Sequence, residues 1–371
     1  MRILLVVNSL GRGGAENVVS GLADKFAQRG HEVKIVVLLG LVDFAPSEAN
    51  VTIENLGLRK NIFSLISSVR KLYQIVDEFR PDVANSHLFQ ANILLRLLRI
   101  FANIPLLISS AHNTNEGARH RMLAYRATDR LADISTNVSI DAVNAFVSQK
   151  AVKRNRMVVI HNGIDTCSFA PSKLERENIR KDLGIQPEQT VIMAVGRLEE
   201  QKDYPNLLKA IANSLQELPT LRLIIVGEGP LRAELEDICR GLGLENCVKF
   251  LGLRRDVAQL LSACDIFVLS SAWEGFPLVI GEAMSCGKMV VATDVGGVRE
   301  WLPNSRFVVP RNDPDALGRA LVKSAKIGTK ERNSIGKLHR ERVKKHYGLE
   351  AVADNWLNLY ERLINEKLKS R

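Results

Sequence analysis

The chain has 371 residues, of which 46% are hydrophobic and 25% charged, with a formal net charge of +10 at pH 7. That length accommodates two domains of ordinary size, and the composition is that of a folded soluble protein, which excludes a disordered or collagen-like chain. No apolar run reaches the ~18 residues of a membrane-spanning helix.

The N-terminal run "ILLVV" breaks at Asn8 and fits a first strand, not a secretion signal. Five cysteines are odd in number and form no C-x-x-C pair. They suit small apolar fillers in a reducing compartment, so a cytoplasmic location is expected. The excess of positive charge asks for a phosphate-bearing substrate, another polyanion or a membrane surface. Nucleic acid fits poorly, because aromatics are 5% of the chain and no basic stretch is interleaved with them.

In chain order, "RILLVV" (2–7) has the length and composition of a buried strand. The glycine-rich "SLGRGGAE" follows, then a helical spacing over 17–30 with Val18, Leu22 and Phe26, and a second strand over 32–39. Strand, loop, helix, strand is the βαβ unit of a parallel sheet. Three basic, apolar-rich stretches come next, at 59–76, 94–104 and 119–130. Each reads either as a core-packed helix with a solvated basic edge or as a surface for an anionic bilayer. "MVVIHNGID" (157–165) reads as a strand ending in an Asn-Gly turn at Asn162-Gly163, and a polar, proline-marked linker follows it.

The second half repeats the grammar. A strand at 190–196, the loop "RLEEQKDY", a helix and a strand at 221–227 are followed by short strands at 265–270 and 289–293. A terminal amphipathic helix over 349–368 carries Val352, Trp356, Leu359 and Leu363 on one stripe. The expected architecture is α/β, with two doubly wound Rossmann-like domains, 1–165 and 166–348, and a C-terminal helix, 349–371, packing back toward the first. A central cleft between the domains is the expected binding site.

Several loops carry chemistry-bearing residues. "LGRGGAE" (10–16) follows a strand and precedes a helix, but Glu16 stands where a dinucleotide fingerprint needs its third glycine. The loop reads as a bare turn or as backbone that approaches a phosphate or sugar closely. "GRLEEQK" (196–202) puts Arg197 and Lys202 after a strand, at the edge where open α/β sheets bind ligands. Each alone is a solvated cation; together, facing the loop of Glu274, they make a diphosphate cradle.

"WEGFPLVIGEAM" (273–284) places Glu274 in a loop and Glu282 inside a helix that Pro277 opens and Gly287 ends. Glu274 reads either as an acid favoured at a helix start, with Glu282 paired to some buried base, or as part of an anion and sugar site. His112 follows an apolar strand at 104–108 and would face the cleft; the other histidines read as satisfied polar residues. There is no Cys/His cluster, Walker loop or G-x-S-x-G, and the one D-x-D, at Asp313-Pro314-Asp315, reads as a helix cap. No metal is expected.

Together, "GRLEEQKDYPNLLKA", "LIIVGEGPLRAELE", "WEGFPLVIGEAMSCGKMVVATDVGGVRE", "AHNTNE" and "VIHNGID" resemble glycosyltransferase family 4, and the likeness runs from residue 1 to about 302. The resemblance implies the GT-B fold and retaining, metal-independent transfer of a sugar from a nucleotide-sugar, expected to be UDP-linked. The nucleotide-sugar is then a substrate, and no cofactor is required. It also implies that Glu274 meets the donor sugar or its developing positive charge, and that Glu282 holds the ribose. Arg197 and Lys202 would hold the diphosphate with the loop Gly275, Phe276, Pro277 and Leu278. His112 would stand near the reacting sugar, and Gly13 and Gly14 would close over the phosphates.

Two departures stand out. "LPNSRFVVP" (302–310) replaces the family's usual threonine-glycine turn, and Gly281 stands where leucine is common. The expected function is a hexosyltransferase acting on a glycan or lipid-linked acceptor in cell-surface polysaccharide or glycolipid synthesis. Its expected place is the cytoplasm, peripheral on the inner face of the membrane. The alternatives are a sugar-nucleotide epimerase of similar fold and an inactive sugar-nucleotide-binding partner.

Overall fold

Runs of Val, Ile and Leu without polar alternation require burial on both faces, and both halves meet that requirement with a parallel sheet. The computed structural model describes residues 1–11, 14–40, 42–59, 61–114 and 116–369. It divides into one unit of Met1–Gly163 with Leu349–Arg371 and a second of Ile164–Gly348.

The first unit contains β1 (Arg2–Val7), α1 (Gly14–Gln28), β2 (Glu32–Val37), β3 (Thr52–Asn55), α2 (Ile62–Phe79) and β4 (Val83–His87). It continues with α3 (Phe89–Leu98), β5 (Leu106–Ser110), α4 (Arg119–Thr128), β6 (Ile134–Asn137), α5 (Ile140–Ser148) and β7 (Met157–Val159). The seven-stranded sheet has the order β3-β2-β1-β4-β5-β6-β7, and the order reverses between β1 and β4. α1 starts sooner than its apolar spacing suggests, at Gly14 instead of residue 17.

The second unit runs α6 (Lys173–Asp182), β8 (Thr190–Val195), α7 (Tyr204–Leu215), β9 (Leu221–Val226), α8 (Arg232–Gly241), β10 (Val248–Phe250) and α9 (Val257–Ala263). It goes on to β11 (Ile266–Leu269), α10 (Leu278–Ser285), β12 (Met289–Thr293), α11 (Val298–Trp301), β13 (Val308–Val309), α12 (Pro314–Lys326) and α13 (Thr329–His346). Its six strands are ordered β10-β9-β8-β11-β12-β13, with the reversal between β8 and β11. Its core joins Ile192, Leu207, Ile211, Leu223, Ile225 and Val291, all fully buried.

The last helix, α14 (Leu349–Lys369), belongs to the first unit. It buries Val352, Trp356, Leu359 and Tyr360, and the Tyr360 ring lies 6.0 Å from that of Phe26. Asn85 donates to the Tyr360 hydroxyl at 2.9 Å, and Arg29 pairs with Glu350 and Asp354. The expected turn at Asn162-Gly163 is absent: neither residue lies in a turn, and Gly163 takes no positive φ. The glycine is needed for space, since a Cβ there would lie 2.7 Å from the Leu349 side chain.

Candidate functional site

In open α/β sheets ligands gather at the carboxyl ends of the strands where the order reverses. In the second unit those strands are β8 and β11, which pair directly. Lys202 follows β8 and Glu274 follows β11, so strand order alone brings together residues far apart in sequence. The Lys202 Nζ lies 2.5 Å from Glu274 Oε1, which also accepts from the Ser271 hydroxyl at 2.7 Å. Gln201 Nε2 donates to Glu274 Oε2 at 3.1 Å.

Glu274 is 8% exposed. Its loop is clamped: Ala272 N donates to Gln201 O at 2.9 Å, Ser270 Oγ to Lys202 O at 2.8 Å, and Gly297 N to Gly275 O at 2.9 Å. Gly296 adopts φ +47°, and a Cβ there would lie 2.3 Å from the Glu274 carbonyl, so only glycine allows this approach.

Glu282 is different. It sits in α10, half-buried, and its carboxylate has no hydrogen bond or ion pair among the described residues. Burial pushes its pKa up to about 7, with the Lys202 charge pulling the other way. The reading in which Glu282 pairs with a buried base is therefore corrected: the base, Lys202, is held by Glu274.

Arg197 does not join the cradle in this structure. Its side chain is 76% exposed and pairs with Glu199 at 2.5 Å. Of the expected loop, Phe276 turns its ring inward and stacks on Trp301 with centroids 4.5 Å apart. Pro277 is the N-cap of α10 and not its first residue, so the helix opens at Leu278, one place later than expected. A helix start leaves its first N–H groups without intrahelical partners, and this one points them at the same edge.

In the first unit, Gly14 is the exposed first residue of α1, after β1 at the order reversal. Gly13 lies outside the described residues. His112 stands two residues past β5, its Nε2 3.0 Å from the Nδ1 of His87 at the end of β4. Burial pushes the His112 pKa down to about 4, opposed by the Asn162 side chain, so the ring is neutral near pH 7. His87 is 1% exposed and also pushed well down, by burial first and by His112 second.

His87 is no fully satisfied polar residue, since its buried Nε2 has no hydrogen-bond partner among the described residues. Sequence reasoning passed it over. The available signal was the end of "VANSH", because β4 and β5 are neighbours and His87 lies beside Ser110, two residues before His112.

Residues 12–168 match the model of Glycosyltransferase Family 4, and residues 175–342 that of Glycosyl transferases group 1. The chain belongs to glycosyltransferase family 4.

The transferase is 28% identical over 327 residues to UDP-Gal:alpha-D-GlcNAc-diphosphoundecaprenol alpha-1,3-galactosyltransferase of Escherichia coli, covering 84% of this chain and 82% of that one. It is 22% identical to N-acetyl-alpha-D-glucosaminyl L-malate synthase of Bacillus anthracis over 95% of each. Its fold matches that of Anabaena HepE, solved in complex with UDP, with a TM-score of 0.82, 23% identity and full coverage of both chains. The fold is GT-B.

The structure accounts for the transferase's two departures. A Cβ at Gly281 would lie 2.4 Å from the Trp301 ring, so the indole fills the space a leucine would take. Arg306 turns away toward Glu331, 3.8 Å distant, and its guanidinium covers the Phe307 ring. Asp313 caps α12, accepting from Ala316 N at 2.8 Å. Among the described residues no group of three or more His, Cys, Asp or Glu could hold a metal, and no helix is long and apolar enough to cross a membrane.

Proposed function

We propose that the transferase moves a hexose from a UDP-linked donor, with retention of configuration, to a glycan or lipid-linked acceptor in cell-surface polysaccharide or glycolipid synthesis. The observation that carries this is the contrast at one sheet edge between the paired Glu274 and Lys202 and the Glu282 carboxylate, which has no partner among the described residues. Glu282 is suited to the two hydroxyls of a ribose. Lys202 is suited to the diphosphate, assisted by the loop Gly275–Leu278 and by Gly14.

Arg197 reaches the diphosphate by leaving Glu199, an exposed pair worth at most about 1 kcal/mol. A carboxylate has roughly four lone-pair sites, and three donors leave Glu274 one on Oε2 for a sugar hydroxyl or the cationic ring. Neutral His112 serves the sugar as a hydrogen-bonding group.

The reaction breaks the bond between the anomeric carbon and the phosphate oxygen. It forms a bond from that carbon to the acceptor oxygen on the same face, and the acceptor proton passes to the departing phosphate. Fixed cations stabilise the charge that grows on the diphosphate, so neither metal nor cofactor is required. The names of the relatives support a UDP-linked donor and leave both lipid-linked and small soluble acceptors in view. The lipid-linked reading gains from the apolar side chains that α2 exposes, and it places the transferase on the cytoplasmic face of an anionic membrane.

The test is to incubate the protein with a panel of nucleotide sugars and acceptors in excess EDTA. UDP release with a new glycoside is expected, reduced by roughly two orders of magnitude in Lys202→Ala. A free epimer formed without acceptor, or activity that requires a divalent metal, would overturn the reading.

A further inference from the structure

Of the chain's three tryptophans, Trp301 is 0% and Trp356 4% exposed, whereas Trp273 is 51% exposed. Leaving an indole in water forgoes one of the largest apolar burials a side chain offers. Yet this one stands next to Glu274, on the loop at the ligand edge of the second unit.

The loop beneath it is fixed. The Trp273 carbonyl accepts from Gln201 Nε2 at 3.1 Å, and the same amide donates to Glu274 Oε2 at 3.1 Å. Arg311 holds the neighbouring Ala272 carbonyl at 3.1 Å. Gln201 therefore ties the backbone of the exposed ring to the carboxylate. The ring itself stacks on no other aromatic group among the described residues.

An exposed flat apolar face with a fixed hydrogen-bond acceptor on the next residue matches the two-sided chemistry of a pyranose. One face of the sugar presents C–H bonds, and its edge presents hydroxyls. Pockets that orient ligands combine the same two elements, an apolar wall and a few placed polar groups.

We propose that Trp273 is the platform on which a hexopyranose ring stacks, and that it sets which sugars are accepted. A ring with only equatorial hydroxyls lies flat on the indole; an axial hydroxyl on the stacked face lifts it. The inference rests on the reading of this edge as the sugar-transfer site.

The experiment compares wild type, Trp273→Ala and Trp273→Phe in UDP binding, in the steady-state constants for the donor and acceptor used in the transfer assay, and in tryptophan fluorescence. Because the other two indoles are buried, fluorescence should respond to the sugar substrate beyond its response to UDP, and that increment should vanish in both variants. Trp273→Ala should raise the KM of one sugar substrate about tenfold, as expected for a lost aromatic contact. Trp273→Phe should recover most of it, and UDP affinity should stay unchanged in both.

A shift confined to the donor KM assigns the ring to the donor, and one confined to the acceptor KM assigns it to the acceptor; either supports the platform. Unmoved constants for both sugars, with UDP still bound, would overturn it. Absence of UDP binding to the wild type would instead sink the reading of the site.

Discussion

Glu282 is a half-buried carboxyl without a donor among the described residues, and burial lifts its pKa to about 7, well above the ordinary 4.5. The unfolded chain releases this proton near pH 4.5, whereas the folded chain keeps it until about pH 7. Stability of the ligand-free protein therefore falls as pH rises across that window, because the folded state binds the extra proton. Glu282→Gln removes the titration. The variant should match wild type below pH 4.5 and exceed it above pH 7, by on the order of 2 kcal/mol, while losing donor affinity. Urea unfolding at pH 4.5 and pH 8 checks it, and an equal gap at both pH values would show that Glu282 does not titrate there. Its residue type was legible in the sequence; its freedom was not. Which glutamate takes Lys202 depends on β8 lying beside β11, and no local spacing records that neighbour.

At the scale of elements, the positive charge acquires an internal use. The helices of the second unit end near the amino edge of its sheet, where their carbonyls carry partial negative charge. Arg176 donates to the Ala263 and Cys264 carbonyls at 2.9 and 3.1 Å, and Lys288 to those of Ser262 and Cys264 at 2.8 and 3.0 Å, all at the end of α9. Arg332 holds the Ala325 and Ile327 carbonyls at the end of α12, and Arg340 that of Ser285 at the end of α10. These cations stabilise helix ends, so part of the +10 implies no partner at all.

Packing between elements is equally hidden from periodicity. Gly281 reads as a weak helix residue, but it admits the Trp301 indole, which in turn backs Phe276 and the loop of Glu274. Gly281→Leu should cost at least about 2 kcal/mol of stability by overpacking, and Trp301→Ala in the same chain should recover part of that loss. Denaturant titration of the single and double variants reads both values. A Gly281→Leu protein as stable as wild type would mean that the indole has room to move.

For the whole molecule, the repeated βαβ grammar made the two sheets legible, since continuous apolar strands and helical spacing recur in both halves. The surfaces were less so. Residues 1–165 hold 20 Lys and Arg against 14 Asp and Glu. Not all of that excess faces water: Arg96 is fully buried, donating to Ser109 and Ser135, and Arg99 pairs with Asp133.

α2 is the element that carries a surface role. Its second half buries Leu72, Ile75, Val76 and Phe79, but its first two turns expose Ile62 at 60%, Phe63 at 82% and Ile66 at 60%. Arg59, Arg70 and Lys71 are exposed around them; Lys60 lies outside the described residues. Apolar side chains that enter the acyl boundary, flanked by cations worth on the order of 1 kcal/mol each near an anionic surface, give reversible attachment without a spanning helix.

The transferase should therefore sediment with vesicles containing anionic lipid and much less with neutral ones, and added salt should weaken the binding as the Debye length shrinks. Phe63→Ser with Ile66→Ser should release it from anionic vesicles at physiological salt while leaving UDP binding intact. Equal recovery with neutral and anionic vesicles would leave the charge as a solubility feature and shift the acceptor toward a soluble glycan.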